Sequence, residues 1–172
     1  MIDLSQLNAL PEKEFVSVLG GAFEHSPWVA EGAAAGRPYA SREQLLESMC
    51  AVVDAADPVQ QMALIQAHPQ LGARGRELQQ LTASSASEQR RAGLDACSDE
   101  EYAELLRLNA RYVEKFRFPF ILAVRGHSPE SILAAMRSRL HNEPAAECRA
   151  ALHQIGRIAG FRLADIVNDQ GQ

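Results

Sequence analysis

Apolar residues recur at every third or fourth position along most of this 172-residue chain, and short polar stretches separate the recurring segments. This spacing predicts a series of amphipathic helices. Between these segments lie residues that start helices, either a proline for the first helical position or a capping side chain. Such predicted starts occur at Pro11, Pro27, Ser41, Asp57, Ser85, Ser98, Ser128 and Pro144.

A single segment, residues 116–124, has the composition of a strand. Pro119 lies inside it, and the pattern offers no second strand with which it could pair. We therefore interpret it as a buried connector between helices. Gly32 to Pro38 is predicted to be a loop, and the stretch from Gly72 to Ser84 has no clear pattern. The prediction is an all-α fold without a sheet, in one domain over residues 1–172 with about seven to nine helices.

The hexapeptide from Ala67 to Gly72 is the clearest candidate for chemistry. His68 follows a predicted helix that starts at Pro58, and Pro69 disfavours helical backbone at the residue before it. Gly72 allows a sharp turn soon afterwards. The imidazole is therefore predicted to lie at the C-terminal end of a helix, outside the core, where the helix dipole favours its protonated form. The alternative is a histidine that only caps the helix.

Arg162 falls within the apolar face of the last predicted helix, whereas Arg157 points the opposite way. An arginine is rarely buried without an anionic partner, because removing its charge from water is costly. Arg162 is interpreted either as a guanidinium fork for a substrate carbonyl or carboxylate, or as a residue that pairs with a structural carboxylate or reaches solvent at the edge. The apolar face comprises Ala151, Leu152, Ile155, Ile158, Ala159, Leu163 and Ile166.

Ser85, Glu88 and Gln89 lie on one face of a short predicted helix, at spacings of three and four residues. They are candidates for polar contacts to a substrate. The alternative is a capping box formed by Ser85 and Glu88, beside a solvated Gln89. The connector at 116–124 also has two interpretations. Its irregular backbone leaves N–H and C=O groups available to a ligand, or it is simply part of the core.

The overall composition excludes several classes of protein. Hydrophobic residues make up 47 % and charged residues 23 %, which is typical of a globular domain. The formal net charge of −5 argues against nucleic acid or an anionic membrane surface as a partner. The longest apolar run, Phe118 to Val124, is too short to span a membrane, and the N-terminus does not resemble a signal peptide.

The cysteines and histidines indicate neither a disulfide framework nor a metal site. Cys50, Cys97 and Cys148 are odd in number and far apart, which fits a reducing, cytoplasmic location. No pair of cysteines has the spacing of a zinc site, and the five histidines lack any spacing typical of metal ligands. We therefore predict that the protein binds no metal.

Five motifs, in this order along nearly the whole chain, resemble those of the 2-oxo-4-hydroxy-4-carboxy-5-ureidoimidazoline decarboxylase family. The resemblance implies an all-helical, homodimeric enzyme that needs no metal or organic cofactor. It also implies a small-molecule substrate, the ureidoimidazoline, which the family converts into (S)-allantoin in the oxidation of urate. The motifs are His68–Gly72, Ser85–Gln89 continuing through Ala92–Leu94, Tyr112 with Lys115–Phe116 and Phe118–Ile121, Arg139–Glu143, and Ile155 with Arg162–Leu163.

The resemblance implies a role for each matching residue of this chain. His68 is the catalytic histidine, which handles a proton, and Glu88 is the catalytic glutamate paired with it. Arg90, Arg91 and Arg117 depart from the family's pattern, which leaves the rim of the pocket less well defined. Substrate-binding roles fall on Pro69, Ser85, Gln89, Arg162 and the backbone of Phe120, Ile121, Leu122 and Ala123.

Two other functions remain open from the residues themselves. A hydantoin or ureide hydrolase could use the same polar groups, although such enzymes usually rely on metal ions. A non-catalytic helical interaction module would explain the apolar faces of the helices. It would not explain an arginine at position 162 within such a face.

Overall fold

The computed structural model describes residues 1–73 and 76–169. Nine of the helices in this part of the chain have six residues or more, and a further one, α6, has four. The all-α prediction is therefore confirmed. The helices are α1 Leu4–Ala9, α2 Glu12–Leu19, α3 Pro27–Ala34, α4 Arg42–Ala55, α5 Pro58–Gln66, α6 Arg76–Gln79, α7 Ala83–Arg91, α8 Asp99–Phe116, α9 Pro129–Arg139 and α10 Pro144–Ile166.

The structure departs from the prediction of no sheet by one short parallel pair. Strand β1, Ile2–Asp3, lies beside strand β2, Val167–Asn168, with Ile2 opposite Val167. The side chain of Asn168 also donates a hydrogen bond to Asp3 over 3.0 Å. Strands of two residues are too short to produce an alternating pattern, so the sequence could not indicate this pair.

The chain divides into two compact units. One comprises Met1–Ala67 and Ile155–Gln172, and the other comprises His68–Gln154. That residues 1–172 form a single domain stays a prediction. In the first unit α2 packs against α3, and α3 packs against α4. Its buried side chains include Leu7, Phe15, Leu19, Phe23, Leu45, Met49, Leu64, Ile65, Ile155, Ala159 and Leu163.

The second unit is built on α8, which packs against α9. Residues 117–128, which follow α8, contain neither helix nor strand, and most of the segment 118–124 is buried. The predicted buried connector is therefore confirmed. Four aromatic rings of α8 and the connector form a cluster, with centroid distances of 4.6–5.9 Å. They belong to Tyr112, Phe116, Phe118 and Phe120.

Side-chain capping explains where several of the helices start. Asp57 accepts hydrogen bonds from the backbone N–H groups of Val59 and Gln60, and Ser98 forms a reciprocal capping box with Glu101. The predicted start of the loop after α3 was wrong. Helix α3 continues to Ala34, so the predicted loop over residues 32–38 begins later.

No helix in residues 1–73 and 76–169 is both long enough and apolar enough to cross a membrane.

Candidate active site

His68 follows the end of α5 directly after its C-cap, as the sequence predicts, but it does not lie outside the core. The residue is only 6 % exposed. Its Nε2 atom is buried and forms no hydrogen bond to a described residue, although His68 takes part in other interactions. The expected exposed position is therefore corrected: after Pro69 the chain turns back, so Leu71 and Gly72 are also buried.

Gly72 forms this turn and fits closely against α8. Its φ of +91° lies in the left-handed region that favours glycine. A Cβ atom added at this position would come within 2.5 Å of a methyl group of Leu105. The sequence therefore predicts correctly that a glycine turn follows His68, and the structure adds that there is no space for a side chain there.

Two buried amide side chains hold the segment 70–73, which continues from Pro69. The Oε1 atom of Gln89 accepts hydrogen bonds from the N–H of Gly72 at 2.9 Å and the N–H of Ala73 at 3.2 Å. Its Nε2 atom donates to the C=O of Gln70 at 3.1 Å. From α8, Asn109 donates to the C=O of Leu71 at 2.9 Å. These bonds fix the backbone immediately after His68.

Gln89 is consequently neither a solvated residue nor simply a ligand contact. It is 3 % exposed, so the interpretation as a solvated neighbour is wrong. Both acceptor positions of its oxygen and one of its two N–H bonds are used by the segment 70–73, which leaves one N–H bond for another partner. Its role in substrate binding stays a prediction, and the structure gives it a role in holding the loop.

We expect Gln89→Met to lower the free energy of unfolding by about 2–3 kcal/mol, because it leaves buried backbone groups of the segment 70–73 without partners. The same change at the exposed Gln60 serves as the matched control. Urea denaturation of both variants measures the difference. Equal stability of the two variants would contradict this role of Gln89.

Helix α7 starts three residues earlier than predicted, and this changes the position of Ser85. Thr82 is the N-cap, and its hydroxyl accepts a hydrogen bond from the N–H of Ser85 at 3.3 Å. The capping box of Ser85 and Glu88 was therefore wrong. Ser85 instead lies inside the helix and is buried on the same face as Gln89, while Glu88 is half-buried. Both Ser85 and Glu88 have further interactions in the structure.

Side chains from outside the connector form hydrogen bonds to two of its peptide groups. The C=O of Ile121 accepts a hydrogen bond from Nη1 of Arg139 at 2.6 Å. The N–H of Ala123 donates to Oε1 of Gln154 at 3.0 Å. Because a trans peptide is planar with its C=O and N–H antiparallel, the N–H of Leu122 points away from Arg139 and the C=O of Leu122 points away from Gln154.

Leu122 therefore offers one donor and one acceptor from a buried backbone. Among the residues that the structure describes, neither its N–H nor its C=O has a hydrogen-bond partner. Buried backbone groups are nearly always paired, with protein, water or ligand. The neighbouring residues Phe120, Ile121 and Ala123 are buried as well. Of the connector backbone that was predicted to be available to a ligand, the N–H and C=O of Leu122 are therefore the candidate groups.

A buried carboxylate anchors Arg139. Glu147 has no exposed surface, and its Oε1 accepts hydrogen bonds from Arg139 Nε at 2.8 Å and Nη2 at 2.5 Å, and from the hydroxyl of Tyr112. Its Oε2 accepts from Asn142 at 2.7 Å. Burial, together with the hydrogen bond to Glu147, raises the pKa of Tyr112, so the phenol stays protonated and donates.

The sequence reasoning missed Glu147. Tyr112, Arg139 and Asn142 belong to the motifs that carry the family resemblance, but nothing in their spacing indicates that they share a partner. One signal for a partner is present in the chain. Arg139 lies close to the end of an apolar helix face, unlike the exposed Arg137 two residues before it, and an arginine in such a position requires a carboxylate partner.

Arg162 belongs to the other compact unit and is buried, with 5 % of its surface exposed. This confirms its predicted place in the apolar face, and Arg157 is exposed as predicted. The Nη1 atom of Arg162 lies 2.7 Å from Oε2 of the buried Glu24 and also donates to the C=O of Gly21 at 3.3 Å. The carboxylate that the structural interpretation of Arg162 requires is therefore that of Glu24. A substrate contact by Arg162 stays a prediction.

The described residues contain no cluster of three or more His, Cys, Asp or Glu side chains that could hold a metal ion. Cys50, Cys97 and Cys148 form no disulfide with one another.

Comparison with known proteins identifies the family. Residues 8–164 match the family described as OHCU decarboxylase. The chain is 41 % identical to the uric acid degradation bifunctional protein PucL of Bacillus subtilis, over 100 % of this chain and 34 % of that protein. It is 40 % identical to the 2-oxo-4-hydroxy-4-carboxy-5-ureidoimidazoline decarboxylase of Haloferax volcanii, over 95 % of each chain.

A solved structure agrees with these sequence matches. A crystal structure of (S)-allantoin synthase is 30 % identical to this chain and superposes with a TM-score of 0.77, covering 96 % of this chain and 54 % of that one. The chain spans about a third of the length of the bifunctional relatives from Bacillus. The family match covers far more than half of the chain, so the protein belongs to the OHCU decarboxylase family.

Proposed function

We propose that this protein decarboxylates 2-oxo-4-hydroxy-4-carboxy-5-ureidoimidazoline to (S)-allantoin, a step in the oxidation of urate, without a metal or organic cofactor. The observation that carries the proposal is the buried connector of this family member, in which Leu122 offers an N–H and a C=O that have no partner among the described residues. A ring with adjacent N–H and C=O groups is complementary to that pair.

The chemistry of the substrate explains why no electron-accepting cofactor is needed. Loss of carbon dioxide leaves an electron pair on the ring carbon, and the adjacent imine of the ring delocalises it. The protein must therefore hold the ring, keep the leaving carboxylate out of the ring plane and deliver a proton to one face. Delivery to a single face produces one enantiomer of allantoin.

His68 and Glu88 carry the proton chemistry in this proposal. A histidine changes its protonation state near neutral pH and is the side chain most often used for proton transfer. Glu88 orients His68 or binds the substrate hydroxyl, and a carboxylate near an imidazole favours the imidazolium form. The fixed backbone of the segment 70–73 supports this assignment, because it restrains the position of the neighbouring His68.

The remaining residues bind the ring and its substituents. The lactam edge of the substrate, an N–H next to a C=O, pairs with the C=O and N–H of Leu122. Ser85, with the remaining N–H bond of Gln89, binds polar substituents. The further proposed contacts, predicted from the family resemblance, are Pro69, Phe120, Ile121, Ala123 and Arg162.

Incubation with freshly generated ureidoimidazoline tests the function. We expect release of carbon dioxide and accumulation of optically active allantoin, followed by circular dichroism. Activity should survive prolonged dialysis against a strong chelator. Opening of the ring, or loss of activity that zinc or manganese restores, would indicate the hydrolase, and an unchanged substrate would indicate a non-catalytic module.

We further propose that the protein is a homodimer, as the family resemblance implies, and that it is cytoplasmic, as its cysteines indicate. The absence of disulfides among its three cysteines is compatible with a reducing compartment. Sedimentation equilibrium of the purified chain measures the oligomeric state directly.

A further inference from the structure

We propose that Arg139, held by Glu147, is a positioning residue that aims the N–H of Leu122 at the substrate. This inference rests on the proposed function, since it assigns a purpose to the peptide group between Ile121 and Leu122. It concerns residues that do not touch the substrate themselves. Arg139 acts on the substrate only through the direction of this one peptide group.

The carboxylate of Glu147 holds Arg139 in a single orientation. Four donor groups converge on it: Nε and Nη2 of Arg139, the hydroxyl of Tyr112 and the side-chain amide of Asn142. A carboxylate with donors on both oxygens and no exposed surface cannot rotate freely. Two bonds from one guanidinium to one carboxylate oxygen then fix the plane of the guanidinium as well.

The fixed guanidinium has one further N–H group that meets the connector. Nη1 of Arg139 donates to the C=O of Ile121 at 2.6 Å, and the guanidinium carbon lies 4.6 Å from the centre of the Phe120 ring. Arg139 therefore contacts two consecutive connector residues: it forms a charge-assisted hydrogen bond to Ile121 and a cation–π contact with the ring of Phe120. Together these contacts restrain the peptide group that contains the N–H of Leu122.

The bond also strengthens the donor that is presented. A cation that binds the C=O of a peptide withdraws electron density from it, so the N–H of the same peptide becomes a better donor. Because C=O and N–H are antiparallel in a planar trans peptide, this N–H points away from Arg139. An anionic or electron-rich carbonyl oxygen of the ring is the group that gains most from such a donor.

Stability alone is a poor explanation for this arrangement. Buried ion pairs are often no more stabilising than well-packed apolar residues of similar volume. An apolar replacement could fill the same space, but it could not fix the direction of the Ile121 carbonyl. What the charged groups contribute here is orientation, which can be measured separately from stability.

The test compares Arg139→Lys with Arg137→Lys in the full chain. Arg137 lies two residues earlier in α9, is exposed and pairs with Glu104 on the surface, so it is a matched control. For Arg139→Lys we expect KM and the Kd for (S)-allantoin to rise about 3- to 10-fold, the range expected when the ligand loses one hydrogen bond from a backbone N–H. The value of kcat should change less than KM. The backbone amide resonance of Leu122 should shift in Arg139→Lys and not in Arg137→Lys.

A folded Arg139→Lys protein with an unshifted Leu122 amide, or with the same allantoin affinity as Arg137→Lys, would overturn the inference. If Arg139→Lys does not fold, Tyr112→Phe replaces it, and a smaller shift in the same resonance is expected. If the wild-type protein neither turns over substrate nor binds allantoin, the proposed function fails. In that case the amide resonance of Leu122 alone decides whether Arg139 fixes the orientation of the peptide group between Ile121 and Leu122.

Discussion

His68→Asn is expected to abolish stereoselective formation of allantoin, with a loss in rate of roughly 10²–10⁴. Asparagine keeps a polar side chain at the position but cannot accept and return a proton near neutral pH. The substrate also decays without the enzyme, so the informative quantity is optical activity and not total allantoin. Circular dichroism during turnover of freshly generated substrate measures it.

The burial of His68 makes a stability control necessary. Because the residue is 6 % exposed, a smaller side chain leaves space in the interior and lowers the free energy of unfolding. His141→Asn, at an exposed position of the same compact unit, provides the matched substitution. A folded His68→Asn protein that produced (S)-allantoin at nearly the wild-type rate would leave His68 with a packing role only.

The elements of the fold were predictable because the signals for them are local. Helix starts at Asp57, Ser98 and Ser128 depend on side chains that bond to backbone within three residues, and all three cap a helix as predicted. The connector was predictable for a similar reason, since Pro119 disfavours a regular element where apolar residues are continuous. Such signals need no knowledge of distant parts of the chain.

The direction of a side chain within a helix was predicted less well. The spacing of apolar residues predicts that Leu106 belongs to the inner face of α8, but its side chain is exposed, whereas Leu108 and Asn109 are buried. A single helix can bury several adjacent rows of residues, and the neighbouring elements decide which rows are covered. Asn109 is polar, so the apolar pattern does not indicate its burial, although its bond to Leu71 is one of those that hold the segment after His68.

Partners far apart in sequence could not be predicted. The pair Glu24 and Arg162 is separated by 138 residues. The pair Tyr112 and Glu147 is separated by 35 residues. The periodic pattern correctly placed Arg162 inside an apolar face, and electrostatics correctly required an anion for it, but a substrate and a protein carboxylate satisfy that requirement equally well. The choice between them depends on packing that only the folded chain reveals.

Arg162→Ala is expected to lower the free energy of unfolding by about 3–5 kcal/mol, the usual effect of removing one partner from a buried ion pair. The affected carboxylate is that of Glu24, whose Oε2 lies 2.7 Å from the guanidinium. Arg157→Ala, on the exposed side of the same helix, should change stability little and is the control. Thermal and urea denaturation measure both variants.

A bond to Glu24 and a contact with the substrate are compatible, because a guanidinium carries five N–H groups. Arg162→Lys separates the two roles, since it keeps the charge and loses the planar fork. If Arg162 binds the substrate, this variant should lose allantoin affinity by about tenfold or more while remaining folded. Unchanged affinity, together with a large stability loss in Arg162→Ala, would defeat the binding role.

A double variant, Arg162→Met with Glu24→Leu, makes the distinction sharper. It replaces both charges by apolar side chains, and such replacements of a buried pair are often neutral or stabilising. Stability should therefore return towards the wild-type value relative to Arg162→Ala. If Arg162 only neutralised Glu24, allantoin affinity should return as well. If Arg162 also binds the substrate, the double variant should be stable and still bind allantoin poorly, and isothermal titration calorimetry on this protein measures which result holds.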